Sequence, residues 1–369
     1  MLDSPPMLVF LISFGLSAAL TLLVVRMLRH RGSATKDHDL TGPQKFHART
    51  VARVGGTGPF LALVGVAAAV SWWNAALAAA LALLLACGLP VFAVGLLEDV
   101  TKRVSPAWRL AAAAFSALLA ALFAGATISR TDIWGLDWIA AFLPGAVLLA
   151  VLAVSGIANA INIIDGFNGL ASMCTAMILL ALAYVASEVG DPLVLALALA
   201  GAGAVLGFFI WNYPAGLIFL GDGGAYFLGF YVAEVALLLL HRNPAVSPLF
   251  PLLTCIYPVF ETLFSMYRRR VIKGRSVGMP DGLHLHSLVY RRLMRWAIGN
   301  RDAAALMRRN SRTAPYLWLL CMFAVVPSVL LWDNSRALGL CIVLFALVYI
   351  VLYGLIIRFK VPRWLVSRR

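Results

Sequence analysis

Asn159-Ala160-Ile161-Asn162-Ile163-Ile164-Asp165-Gly166-Phe167-Asn168-Gly169-Leu170 is a short polar segment between two apolar runs, each long enough to cross a bilayer. Ionisable groups near the bilayer are costly and by default mark a functional site. Helix capping is the ordinary account of Asn and Asp at such a break, and Gly166 and Gly169 suit it. Capping explains one such residue, but not Asn159, Asn162, Asp165 and Asn168 together.

The apolar runs on either side repeat along the whole chain. Its 369 residues are 62% hydrophobic and 12% charged, with a mean hydropathy of +0.90. A soluble domain is about 45–50% apolar, so the chain reads as an all-α polytopic membrane protein. About eleven runs can cover the roughly 30 Å of hydrocarbon in a bilayer. They lie near 7–28, 55–71, 75–97, 109–127, 139–158, 169–187, 192–210, 223–241, 249–267, 313–332 and 338–358. No basic residue precedes the first run, so it reads as a span and not as a cleaved leader.

Lys and Arg set the orientation. Of the 30 basic residues, all but Arg130, Arg242 and Arg336 follow odd-numbered runs. By the positive-inside rule the N-terminus is outside and the C-terminus cytoplasmic. This topology, with attraction to anionic membrane lipid, accounts for the net charge of +14, and no nucleic acid is expected. The five cysteines all fall within runs and match no metal or disulfide pattern. The chain is expected to form one integral membrane domain, 1–369, with working loops at 29–54, 98–108, 159–168, 211–222 and 268–312.

Four further polar islands fall on the side assigned as cytoplasmic. Lys45-Phe46-His47-Ala48-Arg49 is followed by Arg53-Val54-Gly55-Gly56-Thr57-Gly58, where glycines at a helix start would let backbone N–H groups approach a phosphate. Glu98-Asp99 ends the third run; adjacent carboxylates there repel each other unless a cation or a ligand sits between them. Trp211-Asn212-Tyr213-Pro214 leads to Gly221-Asp222-Gly223-Gly224, where an Asp between glycines suits a Mg²⁺ ligand beside a diphosphate. Asp281-Gly282-Leu283-His284-Leu285-His286 follows Arg268-Arg269-Arg270, and His-x-His with Arg suits diphosphate binding. The bland readings are a basic loop, a solvated turn, an N-cap and a solvated loop, in that order. Convergence on one face favours a single site: Glu98, Asp99, Asp165, Asp222 and Asp281, an amide cluster and a basic loop.

The order of these motifs resembles the polyprenyl-phosphate N-acetylhexosamine-1-phosphate transferases. That family includes the O-antigen and common-antigen initiating enzymes and the phospho-MurNAc-pentapeptide translocase. The resemblance runs from about Lys45 to His286, and Asn-x-x-Asn-x-x-Asp-Gly and Gly-Asp-x-Gly are its specific motifs. It implies transfer of a HexNAc-1-phosphate from a UDP-HexNAc to undecaprenyl phosphate with release of UMP, at the cytoplasmic face of a bacterial inner membrane. It further implies Mg²⁺, with Mn²⁺ as a substitute, held by Asp222 and Asp99. Glu98, Asp99 and Asp165 take catalytic roles, while Asn159, Asn162, Asn168, Asn212, Lys45, Arg270, His284 and His286 bind substrate. Phe219 serves as a stacking face for uracil.

The departures are Glu98 where an Asp is usual, Asn168 for a second carboxylate, and Ser287 for a third histidine. The Thr-Pro-Thr segment of the translocase is absent, which places the chain with the O-antigen type. Direct attack by the lipid phosphate is the expected route, with a covalent aspartyl intermediate as its competitor. The donor sugar stays open among UDP-GlcNAc, UDP-GalNAc and 6-deoxy relatives, and a homodimer is one assembly open to such a chain. The rival reading is a transporter or flippase of lipid- or nucleotide-linked sugars, which a proton relay through Glu234 and Glu261, the acids placed within spans, would favour.

Overall fold

The computed structural model describes residues 6–30, 51–272, 282–294 and 303–358, and every regular element among them is helical. Lys45 and Asp281 lie outside the described residues. In chain order come α1 (Pro6–His30), α2 (Thr57–Val70), α3 (Ala75–Thr101), α4 (Pro106–Phe123), α5 (Leu136–Ala140), α6 (Leu143–Ile164) and α7 (Leu170–Glu188). They are followed by α8 (Pro192–Asn212), α9 (Gly221–Arg242), α10 (Leu249–Thr254), α11 (Ile256–Tyr267), α12 (Leu285–Leu288), α13 (Ala303–Leu330) and α14 (Ser335–Ile357).

Among the described residues, nine helices are long and apolar enough to cross a membrane: α1, α3, α4, α6, α7, α8, α9, α13 and α14. The chain is a multi-pass membrane protein. The other two expected spans take different forms. The second is the 14-residue α2. The run at 249–267 is broken at Cys255 into α10 and α11. Pro258 explains the break, because its ring clashes with the carbonyl four residues back, that of Thr254. Pro90, by contrast, stays inside α3, where the Val91 N–H donates to Ser116 Oγ of α4 at 3.1 Å. A polar side chain from a neighbouring helix satisfies the backbone beside the proline.

Helix α9 is the axis of the bundle. It is buried around almost its whole circumference, as an apolar helix surrounded by others must be. Small residues let its neighbours approach: Gly95 of α3 lies against Gly223, and Ala158 of α6 against Gly229. Helix α1 closes on α8 through Ser13 and Ser17, whose hydroxyls donate to the carbonyls of Ala200 and Ala204, each at 2.6 Å.

The end of the bundle remote from Asp222 is tied by its few charges. Asp191 caps α8 and accepts from Arg242 Nε at 2.6 Å and from Asn243 at 3.0 Å. Burial pushes the Asp191 carboxyl up, but these bonds outweigh it and hold the group below the usual carboxylate range. Arg130 donates to the carbonyls of Pro244 and Val246.

Two acids lie deep among the helices. Glu261 on α11 bonds His284, and not the Arg268 or Arg269 that a simple ion-pair account favours, because His284 packs directly over it. Glu234 on α9 is 0% exposed, and neither carboxyl oxygen has a hydrogen-bond partner among the described residues. Among the described residues no bonded relay therefore runs through Glu234. A buried carboxyl without a partner costs about 1–3 kcal/mol. Glu234→Leu is expected to raise the melting temperature of the detergent-solubilised protein, and a fall would show that Glu234 has a stabilising partner.

Candidate active site

Asp222 opens α9, and its carboxylate is the hub of the polar end of the bundle. Oδ1 accepts from Asn162 Nδ2 at 2.9 Å and from Arg53 at 3.4 Å, and Oδ2 is paired with Arg109. Arg53 precedes α2, Arg109 stands in the first turn of α4, and Asn162 ends α6, so three separate segments converge on one carboxylate. The Arg109 guanidinium also lies over the Tyr226 ring, 5.9 Å from its centroid. The Tyr226 hydroxyl in turn donates to Asn159 Oδ1 at 2.9 Å. Asn159 and Asn162 thus reach one network from successive turns of α6.

Glu98 and Asp99 part company. Adjacent residues on a helix point about 100° apart, and only Asp99 turns inward. It is 1% exposed and accepts from the backbone N–H groups of Asp222 and Gly223 at 2.9 and 2.8 Å. Arg53 Nε is 3.8 Å away. Glu98 instead accepts from the Val104 N–H at 2.7 Å, closing the turn after α3.

Asp165 completes the cluster from the end of α6. Its carboxyl is pushed up to about 7, chiefly by burial and further by the nearby Asp222 and Asp99. Arg53 and a bond from the Gly221 N–H pull the other way. The N–H groups of Gly221, Asp222 and Gly223 are thus engaged by Asp165 and Asp99. Free helix N-termini attract anions, but this one is filled by the protein's own carboxylates. The amides at this helix start are therefore taken.

The amides of Gly55 and Gly56, expected to approach a phosphate, are taken as well. Their N–H groups donate to the carbonyls of Phe219 and Leu220 at 2.9 and 2.8 Å, and the Phe219 N–H donates to Ala52 at 2.9 Å. The two backbones run side by side and fix Arg53 over Asp222, while the Phe219 ring stays partly open.

Asn168 and Asn212 are buried clamps. Asn212 Oδ1 accepts from the Gly169 N–H at 2.6 Å, and its amide donates to Ile218 O at 2.8 Å. Asn168 donates its amide to Pro214 O at 3.1 Å, and its own N–H bonds Asn310 of α13 at 2.9 Å. Both asparagines hold the loop after α6 against the loop after α8. Trp318 of α13 adds a bond to Gly169 O at 3.1 Å.

His284 and His286 are buried and stack in parallel, with centroids 5.1 Å apart. A Cβ placed on Gly166 would stand 3.6 Å from His286 Nε2, so the pair abuts the loop that carries Asp165. Arg270 is exposed on the π-helical extension of α11, Arg268–Ile272.

Arg109, Tyr226 and Asn310 escape the sequence reading. Arg109 did carry a signal, because a lone Arg in the first turn of an apolar span is costly unless it is paired. Among the described residues no three His, Cys, Asp or Glu side chains converge with metal-ligand spacing. Asp99 gives both oxygens to backbone amides, unlike the metal ligand expected there. The carboxylates of Asp222 and Asp165 are the hard oxygen donors that remain, and Asp222 already draws two guanidinium groups.

The segment that carries the site is similar to known proteins. A model described as Glycosyl transferase family 4 matches residues 81–240. The match includes Asp99, Arg109, Asn162, Asp165 and Asp222. A "Probable undecaprenyl-phosphate N-acetylglucosaminyl 1-phosphate transferase" of Bacillus subtilis is 35% identical over 154 residues, 42% of each chain. An "Undecaprenyl-phosphate alpha-N-acetylglucosaminyl 1-phosphate transferase" of Thermotoga maritima is 26% identical over 78% of this chain and 81% of its own. A "Phospho-N-acetylmuramoyl-pentapeptide-transferase" of Streptococcus thermophilus is 29% identical over 38% of this chain and 42% of its own.

Gly221 tests the geometry. Its φ is +76°, and an added Cβ would collide with the Arg53 carbonyl and the Asp99 carboxylate. Gly221→Ala is expected to lower thermal stability by at least about 1–2 kcal/mol from the left-handed backbone alone. An unchanged melting curve would contradict this packing.

Proposed function

We propose that this protein transfers a HexNAc-1-phosphate from a UDP-HexNAc to undecaprenyl phosphate, releasing UMP and forming undecaprenyl-diphosphate-HexNAc. The observation that carries the reading is the Asp222 hub. It is a carboxylate buried at a membrane-helix end and bound by two arginines and Asn162, inside the segment that matches the family. The names of the Bacillus and Thermotoga relatives support GlcNAc as the sugar and undecaprenyl phosphate as the acceptor. The distribution of Lys and Arg supports an outside N-terminus and a site at the cytoplasmic face of a bacterial inner membrane.

Phosphoryl transfer is mainly positioning and charge neutralisation. Among the described residues Arg53 and Arg109 are the cations paired with the hub, and a donor diphosphate offers them oxygens in the bidentate geometry that guanidinium favours. In this mechanism they exchange Asp222 for phosphate when the donor binds. Asn162 then keeps Asp222 in place, and Asp99 keeps the backbone beneath it. The Phe219 ring serves the uracil as a stacking face, and the buried histidine pair borders the Asp165 loop. The lipid phosphate, with a second pKa near 6, is largely dianionic at neutral pH and attacks the β-phosphorus directly, without a strong base.

Mg²⁺ fits the oxygen donors of Asp222 and Asp165, and when bound it supplies neutralisation of the diphosphate charge. Because Asp165 is pushed up to about 7, it is mostly protonated at pH 6 and mostly ionised at pH 8. Metal binding requires the ionised form. Titration calorimetry is therefore expected to show Mg²⁺ affinity rising from pH 6 to pH 8 with proton release, and a flat profile would remove Asp165 from the donor set.

The function itself is tested by radiolabel transfer to undecaprenyl phosphate from a panel of UDP-HexNAc donors. Wild type is expected to give a Mg²⁺-dependent lipid-linked product and UMP. Asp222→Asn and Arg109→Ala are expected to lose on the order of 10²–10³-fold in rate while remaining folded. A folded wild type silent across the panel would contradict the reading and return the transporter to consideration.

A further inference from the structure

We propose that Glu261 is a positioning residue that fixes the His284–His286 pair against the Asp165 loop. The proposal rests on the transfer reading for its catalytic consequence, but its geometry stands apart from it. Glu261 Oε1 accepts two bonds, from His284 Nδ1 at 3.1 Å and from the Leu285 N–H at 2.9 Å. Glu261 is 1% exposed and His284 4%.

A bond from Nδ1 to a carboxylate requires the proton to sit on Nδ1. In a neutral imidazole this leaves Nε2 as the bare acceptor nitrogen. The second bond, to the residue that follows His284 in sequence, pins the backbone that carries the ring. Orientation then passes sideways. The His286 ring lies parallel to His284, at 5° between planes, and meets Phe167 edge-on at 5.6 Å. His286 Nε2 borders Gly166, the residue after Asp165. One buried carboxylate on α11 thereby aligns two imidazoles beside the acidic cluster from a different part of the chain. Tyr257 of the same helix and Tyr349 of α14 also face Glu261.

Partners that orient a metal-ligating imidazole matter by about 10–100-fold, and the lower end of that range is expected for this pair. A plain structural tie between α11 and the His284 segment would predict only lost stability. Glu261→Gln separates the two, because its amide oxygen can still accept from the Leu285 N–H while the charge is gone.

The test uses the full-length protein in nanodiscs, labelled with ¹⁵N-histidine. Wild type is expected to show a histidine protonated at Nδ1, absent in His284→Gln and shifted to the Nε2–H form in Glu261→Ala. In the transfer assay Glu261→Gln is expected to lower kcat about tenfold with donor KM and melting temperature nearly unchanged. The Glu261→Gln/His284→Gln double variant is expected to be no slower than His284→Gln alone. A bare Nδ1 on His284 in wild type, or additive losses in the double variant, would overturn the proposal. If wild type makes no lipid-linked product, the transfer reading fails and the histidine spectrum alone decides the positioning.

Discussion

The pairing of Asp222 with Arg53, Arg109 and Asn162 is the constraint on which the polar end of the bundle depends. Three carboxylates are packed around one helix start, and their mutual repulsion and desolvation must be offset. The two guanidinium groups and the N–H groups at the start of α9 do this together, since buried charge is tolerable only when paired and hydrogen-bonded. Each partner arrives on a different segment, so the cluster also ties α3, α4, α6 and the approach to α2 around α9. Close packing of glycines from α3 and the α2 approach against Gly223 and Gly224 makes this convergence sterically feasible.

The site divides into a working part and a scaffold. Asp165, Asp222, Arg53 and Arg109 carry charge that a diphosphate can engage, while Asp99 and Asn212 spend their polar side-chain atoms on backbone and Asn168 gives its amide to Pro214 O. Asn168 and Asn212 clamp two loops that would otherwise leave amides unsatisfied near the bilayer, where an unpaired backbone group costs several kcal/mol. The histidine pair joins this frame from beyond the family match, which stops at residue 240.

Much of this was legible from residues alone. Apolar run length identified most membrane helices, and the polar islands located Asp99, Asn162, Asp165 and Asp222 at one end. The helix break at Cys255 followed from Pro258 but was hidden by a continuous apolar run. The divergence of Glu98 and Asp99 needed the helical phase at the end of α3, which an adjacent pair does not reveal. Arg109 was counted as topology because an Arg near a span end serves that purpose in many proteins. Its pairing partner lies on α9, and a contact across that separation leaves no local mark. The amides of Gly55 and Gly56 looked free in sequence and are taken in the fold, because buried N–H groups find acceptors wherever backbone or carboxylate is near.

A structure of the protein in nanodiscs with a UDP-HexNAc bound tests the central claim most directly. The account predicts the diphosphate beside Arg53 and Arg109, with both guanidinium groups turned from Asp222 to phosphate oxygens and Asn162 still on Asp222. Donor density elsewhere, with both arginines still paired to Asp222, would contradict it.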